Sequence, residues 1–200
     1  MSRIYRREHR VLQERFDTVR LADRIEEVKW HDHLDERDRA FIESRDMFFL
    51  ATADAEGLPQ CSYKGGEPGF VRVLDERTVA FPNYDGNGMY LSMGNLAVNP
   101  HVGMLFIDFV SKRPSRLRLN GVASIDERDP LVDAYSQAQF VVRVRTTEVF
   151  PNCPRYIHRM ALVERSRFVP QRDRETPVPD WKRTDWACDV LPANDPARDD

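Results

Sequence analysis

Cysteine is scarce in this 200-residue chain: Cys61, Cys153 and Cys188 are odd in number and far apart. That excludes a disulfide scaffold and any CxxC metal or redox pair. Long hydrophobic runs are missing as well, and none approaches the ~18 residues of a membrane span. The N-terminus, Met1-Ser2-Arg3-Ile4-Tyr5-Arg6-Arg7, has no apolar stretch behind its charges, so no signal peptide is expected. Neither sign of charge dominates, with Lys+Arg 30 against Asp+Glu 33 and a net charge of -3. There is accordingly no basic field, and no basic face interleaved with aromatics, to draw nucleic acid or an anionic membrane. These absences predict a soluble, cytoplasmic protein. At 41% hydrophobic and 32% charged residues, the composition is that of one globular domain with extensions.

What is present changes texture twice. Residues 1–45 hold 11 basic and 11 acidic side chains and neither Gly nor Pro, which predicts two or three solvated helices. Val11, Leu12 and Phe16 are spaced for one apolar face, as are Leu21, Ile25 and Val28, and Asp35 is placed to cap a third helix. From residue 46, short apolar runs alternate with turns such as Asp54-Ala55-Glu56-Gly57 and Asp75-Glu76-Arg77. Four strands on such close spacing predict an antiparallel meander or barrel. A short helix is expected from Gly88 to Leu96, stopped by Asn99-Pro100. Strands follow over residues 102–109 and 116–124, with a helix opened by Asp129-Pro130 and running to about Gln139. Val142-Arg143-Val144-Arg145 alternates like a strand, and a last strand is expected over residues 161–168. The domain division is thus a helical extension at 1–45, a β domain at 46–170 and a tail at 171–200. The tail carries Trp181 and Trp186, which a purely disordered segment would hardly use, so it is expected to pack on the body or on a partner subunit.

Chemistry concentrates in few places. Phe81-Pro82-Asn83-Tyr84-Asp85-Gly86-Asn87-Gly88-Met89 leaves a strand, turns through two glycines and enters a helix. Glycines let backbone N–H groups approach a ligand, and a helix start adds partial positive charge, so this is either an anion site or a plain connection. It is neither a P-loop nor a dinucleotide fingerprint. Lysine is rare, four against 26 arginines, so Lys64 beside Gly65 and Gly66 is either a turn lysine or a deliberate compact ammonium. Arg116 and Arg118 share one strand face, as do Arg143 and Arg145, which suits a solvated face or an anion-holding cleft. His31-Asp32-His33 reads as solvated surface rather than a metal site, and no other metal set is expected. Cys153 beside Arg155 could be an activated thiol, but without an assignable His–acid partner a buried, inert one is expected.

Taken together these segments resemble the pyridoxamine 5′-phosphate oxidase-like, FMN-binding split-barrel superfamily, over residues 41–168. The resemblance rests on the Phe81 to Met89 turn, Asn95-Leu96 with Asn99-Pro100, Gly103-Met104-Leu105-Phe106-Ile107-Asp108-Phe109, and Arg116-Leu117-Arg118-Leu119-Asn120-Gly121, in the family's order and spacing. Asn152-Cys153-Pro154-Arg155-Tyr156-Ile157 looks like a subgroup of FMN-dependent enzymes with no settled substrate. The resemblance implies an α+β fold, mainly β: an antiparallel split β-barrel with N-terminal helices, binding FMN between the subunits of a homodimer. It implies that Lys64 is the basic residue ending the cofactor strand, with Ser62 and Tyr63 on the same edge. Phe81, Pro82 and Asn83 would run beside the flavin, and Gly86, Asn87, Gly88 and Met89 would cradle the phosphate. Arg116 would lie near the pyrimidine edge, with Arg155 and Tyr156 reaching in from the second subunit. The family's oxidases have a Ser-Arg-Lys type sequence where this chain has Gly86-Asn87-Gly88, and their C-terminal Trp and Arg substrate motif is absent. Phosphate binding would then lean on backbone amides and more distant cations, and the departures count against pyridoxamine phosphate as the substrate. The implied activity is an FMN-dependent oxidoreductase acting on a small organic substrate or reduced nicotinamide, the flavin carrying the redox chemistry. The alternative is a non-catalytic flavin carrier or sensor.

Overall fold

Alternation along the strands sorts side chains into a core and an outer face. In β1 (Met47–Ala53), Phe48, Leu50 and Thr52 are buried while their neighbours are not. The computed structural model describes residues 2–198. It builds one antiparallel sheet of seven strands: β1, β2 (Pro59–Gly65), β3 (Arg72–Asp75), β4 (Thr78–Tyr84), β5 (His101–Asp108), β6 (Ser115–Asp126) and β7 (Ala138–Asn152). Their order is β2-β1-β5-β6-β7-β4-β3, so β2 and β3 stay as open edges, the arrangement of a split barrel. The long β7 pairs with β6 over its length and with β4 along its first half. The β6–β7 register shifts between Asn120 and Gly121. Any Cβ at Gly121 would come within 2.5 Å of the Arg145 carbonyl oxygen, which fixes glycine at this bulge.

Phe48, fully buried, is the centre of the core, its ring 5.8 Å from Phe70, 5.1 Å from Phe81 and 5.3 Å from Phe106. Four helices flank the sheet: α1 (Arg7–Arg15), α2 (Val19–Lys29), α3 (Glu36–Glu43) and α4 (Leu91–Val98). Asp35 caps α3 as expected, accepting hydrogen bonds from the Arg37 and Asp38 amides. α4 packs on β1, β2 and β6, sealing one mouth of the barrel with Met93 and Leu96. Among the described residues no helix is long and apolar enough to cross a membrane.

Four expectations are corrected. The helix after Asp129 is a single 3-10 turn, Pro130–Ala134, because residues from Ala138 onward are claimed by pairing with β4. The strand expected at 161–168 pairs with no strand of the sheet; the segment is irregular and exposed, held by an ion pair of Arg165 with Asp46 at 3.6 Å and, just before it, a hydrogen bond from the Met160 amide to the Phe109 carbonyl. α4 starts at Leu91 rather than Gly88, and Met89 lies in the preceding turn, exposed. The apolar stripes of α1 and α2, Leu12 and Phe16 on one and Leu21 and Val28 on the other, face outward rather than into the core.

The tail lies along the body. Ser136 Oγ donates to the Gln171 carbonyl, Ala187 and Leu191 are buried, and Trp181 stacks on Trp186 with centroids 5.7 Å apart.

Candidate functional site

A cavity of about 230 Å³ opens where β2, the end of β4 and the approach to α4 converge. Ser62 and Lys64 reach it because they pair with the core residues Leu50 and Phe48 across the β1–β2 ladder and so point inward. Ser62 Oγ and Ser92 Oγ, from strand and helix, share a hydrogen bond of 3.0 Å. Lys64 stands beside them half-buried, and among the described residues its ammonium makes no hydrogen bond or ion pair. Burial lowers its pKa, since desolvation penalises the charged form and no carboxylate offsets it.

The third wall is the turn between β4 and α4. Gly88 has φ +74, and Tyr90, which caps α4, has φ +49, so the chain turns tightly beside the cavity. Asn87 Oδ1 accepts from the Met89 amide at 3.1 Å and braces the turn. A Cβ built on Gly86 or Gly88 would meet nothing within 4 Å, so the glycines leave open space where a ligand can approach. Gln139, on β7, stitches both ends of the turn. Its Oε1 accepts from Asn83 Nδ2 at 2.8 Å and from the Tyr90 hydroxyl at 3.0 Å. Tyr84 borders the cavity, but its phenol lies with Glu67, Arg72 and Tyr135 around a neighbouring pocket; burial, aided by Glu67 and opposed by Arg72, pushes it up to about 12, so it stays protonated at neutral pH.

Of the residues singled out from sequence, Ser62, Lys64, Asn83, Gly86, Asn87, Gly88 and Met89 line this one cavity. The others do not. Phe81 is packed in the core against Phe48, and Pro82 is buried on the opposite side of β4, paired with Val141. Tyr63 points to the outer face of β2, its ring edge-on to Phe49 at 6.1 Å. Arg116 lies on that same outer face, across from Ile107 and Asn152. There the Arg116 Nε and the Asn152 Oδ1 are both buried without a hydrogen-bond partner. Arg155 and Tyr156 sit in an exposed segment, Tyr156 being 83% exposed.

Other expectations resolve elsewhere. Arg143 is no free anion ligand, because it forms a two-pronged pair with Asp129, the second prong being Arg143 Nη2 to Oδ1 at 2.9 Å. Cys153 is exposed rather than buried. His31 is a tie between elements: its backbone pairs with Val149 and its Nε2 lies 2.7 Å from Asp38. Among the described residues no group of three His, Cys, Asp or Glu side chains is arranged to hold a metal. Sequence reasoning missed Tyr84, Gln139 and Ser92. Ser92 carries a readable signal, a hydroxyl in the first turn of a helix that follows a glycine turn. Gln139 carries none, since it reaches the site only through the pairing of β7 with β4.

The split barrel agrees with what comparison finds. The chain belongs to the pyridoxamine 5′-phosphate oxidase family, whose model matches residues 34–159. No curated protein matches the sequence. Among solved structures, a provisionally assigned pyridoxamine 5′-phosphate oxidase from Lactobacillus delbrueckii is similar at 25% identity, covering 62% of this chain and 99% of that one, with a TM-score of 0.48. An FMN-binding protein from Syntrophomonas wolfei is similar at 11% identity, 71% and 97% coverage and a TM-score of 0.45. HutZ, the heme storage protein of Vibrio cholerae, is similar at 25% identity, 58% and 93% coverage and a TM-score of 0.42.

Proposed function

We propose that this chain is an FMN-binding flavoprotein that works as a homodimer and passes a hydride between the flavin and a small organic substrate or reduced nicotinamide. The observation that carries the reading is Lys64: an inward, half-buried ammonium without a partner, facing a glycine turn of backbone amides and the Ser62–Ser92 hydroxyl pair. An unpaired cation out of water is costly, and a phosphate removes that cost while accepting hydrogen bonds from amides and hydroxyls. FMN would supply the redox chemistry once bound. Lys64 would neutralise phosphate charge, Gly86 and Gly88 would allow close backbone approach, and Ser62 and Ser92 would offer hydroxyls.

The way the parts are divided supports a dimer. The cavity of about 230 Å³ is smaller than the ~300–1,000 Å³ of sites that bury a ligand of this class. The unpartnered Arg116 Nε and Asn152 Oδ1 lie on the far face of the same sheet, out of reach of their own subunit's Lys64. A second copy presenting that outer face to the cavity would complete it, in keeping with two-fold association.

One observation favours a second reading, a flavin carrier without turnover. The ionisable side chains lining the cavity are Lys64, Tyr84 and Tyr90, with no His, Asp, Glu or Cys among them to move a proton for catalysis. The experiment is an absorption spectrum of the purified protein, mass identification of whatever denaturation releases, and addition of NADH or NADPH. Flavin bands with FMN released at about one per chain support the reading, and bleaching by a nicotinamide supports turnover. FMN that is never bleached favours the carrier. Released heme, or a colourless protein that takes up no FMN, overturns the assignment.

A further inference from the structure

The phosphate turn reading leaves an anomaly. The turn between β4 and α4 contains one ionisable group besides tyrosine, and it has the wrong sign: Asp85. Of residues 84–90, Asp85 alone does not line the cavity. Its carboxylate points away, toward the C-terminal tail, where Oδ2 lies 2.8 Å from the ammonium of Lys182. Lys182 is 97 residues distant in sequence, and its side chain is only 4% exposed. Its second contact is Asp195 Oδ2 at 2.7 Å, a carboxylate that is itself buried and also accepts from the Ala197 amide. Although desolvation disfavours the buried ammonium, hydrogen bonds from it to Asp195 and Asp85 outweigh that and raise its pKa, so Lys182 stays charged. In a chain with four lysines against 26 arginines, two sit at the two sides of one turn: Lys64 inside it, Lys182 behind it.

We infer that Lys182 is a positioning residue for the anion site: it draws Asp85 out of the cavity and cancels its charge, so that the turn presents amides alone to a phosphate. The inference rests on the FMN reading and deepens it, because it makes the tail part of the binding apparatus. Without Lys182 the Asp85 carboxylate would sit uncompensated one residue before Gly86, where it repels a dianion and can swing inward to take the amides for itself. Linkage then runs both ways. Docking of the tail strengthens phosphate binding, and bound phosphate holds the tail down by the same factor.

The test is FMN titration by calorimetry on the full chain. Lys182→Met alone would strand the buried Asp195, so the working variant is Lys182→Met with Asp195→Asn, and Asp195→Asn alone is the control. The double variant is expected to bind FMN about tenfold more weakly than wild type, from a like charge left one residue before Gly86 of the turn. Adding Asp85→Asn should bring affinity back to within about threefold of wild type, since the carboxylate to be cancelled is gone. Lys182→Arg, which keeps the charge, should stay within about threefold as well. Tryptic cleavage after Arg183 should slow when FMN is added to wild type and be indifferent to FMN in the double variant. Unchanged affinity in a double variant with wild-type circular dichroism overturns the inference while the FMN reading stands. A loss that Asp85→Asn does not restore overturns it too, because Lys182 would then merely anchor the tail. Wild-type protein that binds no FMN overturns both.

Discussion

Replacing Lys64 by methionine should move stability and ligand binding in opposite directions, a pairing that few alternatives produce. In the free protein the Lys64 ammonium is half-buried, lowered in pKa by desolvation and without a partner among the described residues. Methionine keeps most of the side chain's length and its packing along the strand while removing the charge. Leaving a fully buried polar group unsatisfied costs about 1–3 kcal/mol, and Lys64 keeps some solvent, so the gain should be about 0.5–1 kcal/mol. For a chain of this length that corresponds to a Tm higher by about 1–4 °C in the apo protein. With FMN the sign reverses. A charge-assisted hydrogen bond to phosphate contributes about 1.5–3 kcal/mol, so affinity should fall by about 10- to 100-fold, and the rise in Tm on adding FMN should shrink accordingly. The assay is a pair of thermal melts, apo and with saturating FMN, beside a flavin titration. If the variant melts lower than wild type without ligand and retains FMN equally well, Lys64 is a structural residue and the reasoning fails. The pH dependence has the same origin: affinity should fall on the alkaline side as Lys64 deprotonates, beginning below the pH expected for a solvated lysine, and Lys64→Met should abolish that limb.

Two further expectations concern the frame that holds the site. Phe48→Ala removes the ring shared by Phe70, Phe81 and Phe106 and should cost about 3–5 kcal/mol, read from denaturant unfolding; a loss under 1 kcal/mol would mean the core does not centre there. Asp108 closes the turn between β5 and β6: burial pushes its carboxyl up, but hydrogen bonds from Ser111 and the Val110 amide, with Arg45 at 3.1 Å, outweigh this and hold it at about 2. Because the folded pKa is depressed, the group stabilises the fold above its unfolded pKa and the contribution disappears as pH falls toward 2. Asp108→Asn should therefore lose about 2 kcal/mol at pH 7 and flatten the acid limb of the stability curve between about pH 4 and 2, whereas an unaltered acid limb would refute the pairing.

What could be read from the sequence is what is local. The Arg116-to-Leu119 alternation of β6, the Asp35 cap and the glycine turn at 86–88 are each written within a few residues, and each stands where reading along the chain puts it. The failures are where a distant partner decides. Pairing of Tyr84 with Ala138 cuts short the helix that Asp129-Pro130 begins, and no strand runs beside residues 161–168 to make one of them. The resemblance groups Pro82 with Asn83 and Tyr63 with Lys64, each pair adjacent in sequence. A pleated strand sends neighbours to opposite faces, and the ladder to Phe48 and Leu50 decides that Ser62 and Lys64 are the ones inside.

On the proposed reading, the same pleat explains the division of the site between two copies. Residues i and i+1 on β2 serve different faces, so no single copy of this sheet can bring Lys64 and Tyr63, or Lys64 and Arg116, to one ligand. A barrel that binds a mononucleotide in its own interior would need all of its polar contacts on inward positions. Here the inward positions of β6, Leu117 and Leu119, are core residues, and the polar ones, Arg116 and Asn120, look out. Burial without a partner at Arg116 Nε and Asn152 Oδ1 is costly for one subunit alone, and both atoms are of the kind that recognise a heterocycle's edge, one donor and one acceptor side by side. On the proposed reading that cost is recovered when a second copy brings this outer face against the first copy's Lys64 cavity. Arg116→Ala should therefore weaken FMN binding without altering the monomer's fold. In a heterodimer of one Lys64→Met chain with one Arg116→Ala chain, one of the two composite sites keeps both intact residues while the other has neither, so half of the flavin binding should survive at wild-type affinity. If both residues instead served a site within one chain, every site in that heterodimer would carry a defect and no wild-type fraction would remain.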